Sequence, residues 1–110
     1  NEKLYCFLRD CGYILIFKKV SFLPGGSIKG NIDVELTLLA IINYSIYDKA
    51  IIVTGDGDFY CLIEYLKNNN KLLKLMVPNR SKYSLFFNDF KDSLVFIGDF
   101  RKKLENQKPL

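Results

Sequence analysis

Two aspartates, Asp56 and Asp58, alternate with glycine in Gly55-Asp56-Gly57-Asp58, and a third, Asp33, lies upstream within Ile32-Asp33-Val34-Glu35. Carboxylates separated by small residues make a seat for a hard cation such as Mg²⁺ or Mn²⁺, because glycine lets the backbone turn tightly and nothing bulky crowds the ligands. Three such acids brought together repel one another and take up protons unless a cation compensates. A divalent ion held this way acidifies a water and neutralises charge developing on a phosphodiester, which is nucleic-acid hydrolysis. The plainer reading competes. Acids in a first helical turn suit the helix dipole, which covers Asp33 and Glu35, and Asp58 as an N-cap with Asp56 in an Asx-turn is equally ordinary. What favours a metal is the expectation that all three share one edge.

That edge follows from the elements around them. Residues 50–54 form an apolar run ending at the glycines, which reads as a strand buried on both faces, with the acids at its carboxyl end. Open α/β sheets place ligands beyond the strand tips. Downstream, Phe59, Leu62, Ile63 and Leu66 recur at helical spacing, and the Asn68-Asn69-Asn70 run can supply a left-handed cap. Leu4, Phe7, Leu8 and Cys11 mark an amino-terminal helix closed by Gly12. A strand is expected from Tyr13 through Val20, a loop at Pro24-Gly25-Gly26-Ser27, and a helix packed on more than one side from Ile32 to Ile46. Residues 72–77 before Pro78 and 94–97 complete the strands; residues 85–90 are helical, and Asp99 is expected to cap a last helix. Alternation of this kind gives an α/β chain with a mostly parallel sheet and helices on both faces. The sequence reads as one domain over residues 1–110.

Composition removes whole classes of chemistry. There is no histidine, so Ser-His-Asp and Cys-His catalysis are excluded, as are histidine zinc sites. Cys6, Cys11 and Cys61 are odd in number, lie in apolar surroundings and show no CxxC spacing, which reads as buried free thiols. No apolar run approaches the roughly 20 residues of a membrane span, and the first residues do not read as a signal peptide, so the expected location is cytoplasmic. A net charge of +4 leans toward a polyanionic partner. Lys29, Arg80 and Lys82 fall in loops expected at the acidic edge and are candidates to contact phosphates, against the plainer reading of surface charge. Tyr60 and Tyr83 could stack on bases, although packing explains them more simply.

The two acidic segments also carry a family resemblance. Lys29-Gly30-Asn31-Ile32-Asp33-Val34-Glu35-Leu36 and Ile51-Ile52-Val53-Thr54-Gly55-Asp56-Gly57-Asp58-Phe59 resemble the signature segments of NYN domains of the LabA-like type, members of the PIN-like nuclease group. The similarity runs from about Leu4 to Glu105. It implies a three-layer α/β/α Rossmann-like (PIN-like) fold and a metal-dependent ribonuclease, with Asp33, Asp56 and Asp58 as catalytic metal ligands, Mg²⁺ or Mn²⁺ as cofactor and RNA as partner.

Domains of this type open with a strand ending in Asp, a helix and a second strand, and the sequence begins after that point. The expectation is therefore an N-terminally truncated relative short of one metal-ligating acid, whose exposed sheet edge makes it a homo-oligomer. A catalytically inactive RNA-binding or scaffold module of the same fold is the alternative. A haloacid-dehalogenase-type phosphatase would need an upstream DxDxT-like segment, which this sequence lacks.

Overall fold

Two of the apolar stripes end as helices at a residue with positive φ, Gly12 after the first and Asn70 after the third. In the computed structural model the described residues are 1–18, 21–22, 24–26, 28–29 and 31–105, with the backbone alone described at 21–22 and 28–29. They divide into Asn1–Ile32 and Asp33–Leu110.

In the first unit, helix α1 (Glu2–Asp10) starts at Asn1, whose side chain accepts the Leu4 amide at 3.1 Å. It ends where Gly12, at φ 100°, turns the chain so that the Gly12 and Tyr13 amides reach the Arg9 and Leu8 carbonyls, the pairing of a Schellman cap. No residue of α1 is buried, so Cys6 is exposed, as is Cys11 beyond it. The strand expected from Tyr13 does not form over residues 13–18, and Lys19 and Val20 lie outside the described residues. A strand is stable only with a ladder partner, and among the described residues this segment has none. The pairing in this unit is instead a short antiparallel one, β1 (Ser21–Phe22) with β2 (Ile28–Lys29), joined through Gly25 and Gly26 at positive φ.

The second unit carries the sheet. Helix α2 (Asp33–Ile42) is followed by β3 (Ala50–Val53), a 3₁₀ turn (Gly57–Phe59) and α3 (Tyr60–Asn68). Then come β4 (Leu72–Val77), a 3₁₀ helix (Leu85–Phe90), β5 (Leu94–Phe96), a 3₁₀ turn (Ile97–Phe100) and α4 (Arg101–Glu105). The strands form one open, all-parallel sheet in the order β3-β4-β5, with Ile52 beside Leu75 and Leu75 beside Leu94. This is the α/β architecture expected of a PIN-like chain. Leu62, Ile63 and Leu66 of α3 join Ile52, Leu75, Val77, Phe87 and Phe90 in the core. Each fully buried side chain of this kind contributes roughly 1.5–3 kcal/mol by leaving water. Helix α3 ends on Asn70 at φ 55°, the left-handed cap anticipated from the asparagine run.

Three further expectations, these in the second unit, need correction. First, β3 lies at the sheet edge, and Ile51 and Val53 stay 49% and 52% exposed, so it is not buried on both faces. Second, α2 packs on one side only, through Leu36 and Ala40, and leaves Val34 and Leu38 70% and 55% exposed. Third, Cys61 is exposed because it lies on α3 beside the buried stripe and outside it. Among the described residues no helix is long and apolar enough to cross a membrane.

Candidate functional site

Beyond β3 the chain makes a sharply determined turn. The Asp56 amide donates to the Thr54 hydroxyl at 3.0 Å, and the Asp58 amide donates to Asp56 Oδ1 at 2.9 Å. Asp56 is thus the N-cap of the 3₁₀ turn, and α3 begins at Tyr60 after Phe59, which makes no side-chain cap. The expectation that Asp58 caps α3 is corrected, since the intervening 3₁₀ turn takes the capping role two residues earlier. Relieved of it, the Asp58 carboxyl can meet that of Asp33 in the first turn of α2, with an oxygen of each within 4.8 Å.

Asp33, Asp56 and Asp58 each place one carboxylate oxygen so that all three lie within 4.8 Å of one another, with Asp33 half-buried and the other two exposed. This crowding raises the pKa of Asp58, chiefly through the charge of Asp56, then through desolvation, the charge of Asp33 and the Asp33 hydrogen bond.

The glycines of the motif have a different reason from the one their sequence suggests. Neither needs positive φ. A Cβ on Gly57 would lie 2.6 Å from Ser84 Oγ, and one on Gly55 would lie 3.3 Å from the Lys82 carbonyl oxygen. The glycines admit the 81–84 loop against the acidic turn, where the Ser84 amide donates to the Gly55 carbonyl at 3.0 Å. Gly55, Asp56, Gly57, Ser81, Lys82, Tyr83 and Ser84 line an open cleft of about 640 Å³. Asp33 and Asp58 line a second, of about 480 Å³, whose wall is the exposed apolar side of α2.

The basic candidates separate. Lys82 lines the first cleft beside Asp56. Arg80 makes a two-pronged ion pair with Asp99, at 2.6 and 2.8 Å, and lays its guanidinium 3.9 Å from the Phe96 ring centroid. This takes Asp99 away from the capping role expected of it, and Phe96 stands at the cap position of the last 3₁₀ turn instead. Lys29 lies in β2, and its side chain is outside the described residues. The tyrosines pack: Tyr83 meets Phe96 at 5.4 Å and donates to Asn88 Oδ1 at 3.0 Å. Tyr60 packs on Phe90 and donates to Asp89 Oδ2 at 2.7 Å, and that bond pushes its phenol up to about 12. Sequence reasoning missed Ser84, whose small side chain opposite Gly57 sets the loop's approach, and the Tyr60–Asp89 pair, for which residues so far apart give no local signal.

A model of the NYN domain matches residues 2–96 of the chain. The chain belongs to the NYN domain family. Its family therefore lies within the PIN-like nucleases, and NYN nucleases are in general divalent-metal dependent, which gives the acidic cluster of this NYN domain a chemical context. No curated protein and no solved structure matches the chain.

Proposed function

We propose that this NYN domain is a metal-dependent ribonuclease module that hydrolyses RNA phosphodiester bonds. The observation that carries the proposal is the convergence of Asp33, Asp56 and Asp58, three acids from two elements whose oxygens come within 4.8 Å. Oxygen ligands about 2.1 Å from Mg²⁺ lie roughly 3.0 Å apart when adjacent and about 4.2 Å apart when opposite, so small side-chain rotations close these carboxylates on Mg²⁺ or Mn²⁺. Oxygen-only ligands suit those hard ions and disfavour zinc or copper. When bound, the cation supplies charge neutralisation at the scissile phosphate and acidifies water.

The chain's own groups do the rest. Asp56, locked by the amide of Asp58, holds the turn rigid. Asp33 and Asp58 would hold the cation with Asp56. Lys82 contacts a phosphate from the cleft wall. Arg80 joins it by exchanging Asp99 for phosphate; both partners are more than half exposed, so that ion pair is worth at most about 1 kcal/mol and is given up readily. Incubating the protein with a labelled single-stranded RNA and Mn²⁺ tests this: cleavage should occur, and should vanish in Asp56→Asn and with EDTA. Cleavage that survives both would overturn it.

The raised pKa of Asp58, due chiefly to the charge of Asp56, favours a second reading, because proton uptake can relieve the repulsion in place of a metal. On that reading the domain is a catalytically inactive RNA-binding or scaffold module, which binds RNA and takes up no Mn²⁺ at neutral pH.

We also propose self-association. Among the described residues β3 pairs only with β4, and its outer edge offers unpaired backbone groups beside exposed Ile51 and Val53. A second copy's β3 is the partner proposed for it.

A further inference from the structure

We infer that the cleft lined by Gly57, Tyr60, Phe86 and Asp89 holds one nucleobase of a single-stranded RNA, and that guanine fits it best. The inference rests on the nuclease reading above and extends it to how the substrate is held.

Adjacent phenylalanines meet opposite fates here: Phe87 is fully buried, whereas Phe86 is 69% exposed. The exposed ring is not loosely hung. The Ser84 hydroxyl accepts the Phe86 amide at 3.3 Å, which fixes the turn that presents it. Tyr60 meets Phe86 edge-to-face at 6.1 Å and is itself backed by Phe90 at 5.0 Å. A pre-positioned aromatic face loses little freedom when a base stacks on it, and such stacking is worth about 1–3 kcal/mol per base. The cleft measures about 370 Å³, small for a ligand pocket and suited to one flat ring system.

Its position ties it to the acidic turn. Gly57 lines both this cleft and the one holding Asp56 and Lys82, so a nucleotide can put its phosphate on one side of Gly57 and its base on the other. Charge sorts the two groups. Lys82 attracts phosphate, while the Asp89 carboxylate repels it and accepts N–H donors. The Tyr60 hydroxyl holds Asp89 in place at 2.7 Å and uses one acceptor site of a group that has about four. Guanine alone among the RNA bases presents two adjacent donors, N1–H and N2–H, on its pairing edge, which matches a carboxylate.

The test is fluorescence anisotropy in EDTA, so that nothing is cleaved, with labelled oligouridine and the same oligomer carrying one central guanosine. Wild type should bind the guanosine-containing strand more tightly. Phe86→Ala should weaken binding to it roughly 5- to 150-fold, the conversion of that stacking energy, and Phe86→Tyr should restore it, which separates ring loss from misfolding. Asp89→Asn, which can still accept from Tyr60, should abolish the preference for guanosine while leaving oligouridine binding unchanged. Equal binding by wild type and Phe86→Ala overturns the inference, as does wild type that binds neither strand. A guanosine preference that persists in Asp89→Asn removes the guanine assignment. Cleavage with Mn²⁺, run in parallel, keeps the two readings apart. Phe86-dependent binding without cleavage sinks the nuclease reading alone, and cleavage with Phe86-independent binding sinks the base cleft alone.

Discussion

Asp58 and Asp33 bring carboxylate oxygens within 4.8 Å of each other, although one follows β3 and the other opens α2. With Asp56 beside them the arrangement is a like-charge crowd whose stability depends on what neutralises it. The predictions below follow from that crowd and from the packing that builds it.

Asp58→Asn should raise the melting temperature of the metal-free protein, because it removes repulsion from Asp56 and Asp33, and should erase the stabilisation that Mn²⁺ gives to wild type. Ligand at about a hundred times its Kd adds ~2.7 kcal/mol to a folded state that binds it, a shift of roughly 10 °C in Tm for a domain of this size. Differential scanning calorimetry with and without Mn²⁺ measures both effects. A variant less stable than wild type without metal, or still stabilised with it, contradicts the assignment.

The raised pKa of Asp58 fixes the sign of its pH dependence. In the window just above the ordinary carboxylate value of 3.8, the folded state holds a proton that the unfolded state has lost. Stability without metal therefore falls as pH rises through that window, and Asp58→Asn should flatten this part of the profile. With Mn²⁺ the trend should reverse, since binding requires the ionised carboxylates. Urea titrations from pH 3.5 to 6 would show it.

Gly57→Ala should destabilise the protein by about 1–3 kcal/mol, the usual cost of overpacking, because its Cβ would lie 2.6 Å from Ser84 Oγ. Adding Ser84→Gly should recover part of the loss. A double-mutant cycle by urea denaturation reads the coupling; strictly additive effects would deny the contact.

Phe87→Ala should cost about 3–5 kcal/mol by opening a cavity in the core, whereas Phe86→Ala next to it should cost less than about 1 kcal/mol because that ring is already in water. Equal losses from the two would mean that the 3₁₀ helix is turned differently against the sheet.

Ile51→Lys should shift the protein toward monomer, since charge on an open sheet edge is the usual defence against strand pairing. Size-exclusion chromatography with light scattering across a concentration series measures it. Wild type that stays monomeric throughout contradicts self-association through β3.

How much of this was legible beforehand depended on how local each cause was. The Phe59, Leu62, Ile63 and Leu66 stripe and the asparagine cap of α3 depend on residues within a few positions, and both were readable. The acidic trio was readable because strand tips and helix starts share an edge in any parallel α/β sheet. Residues 13–18 misled because an apolar, β-branched run states a preference for strand without supplying a neighbour. The place of β3 at the edge, the Arg80–Asp99 pair and the Tyr60–Asp89 bond all arise from distant segments meeting, which leaves no spacing to read. The cap fell to Asp56 and not Asp58 because a 3₁₀ turn precedes α3, and two equally good capping residues two positions apart give no spacing that tells them apart.

Isothermal titration of Mn²⁺ into the wild-type domain and into Asp33→Asn at neutral pH, where the other two acids remain, tests the shared site most directly. Saturable binding to the wild type, lost or greatly weakened in the variant, is the expected result. Unchanged binding in the variant would mean that the α2 carboxylate takes no part in holding the cation.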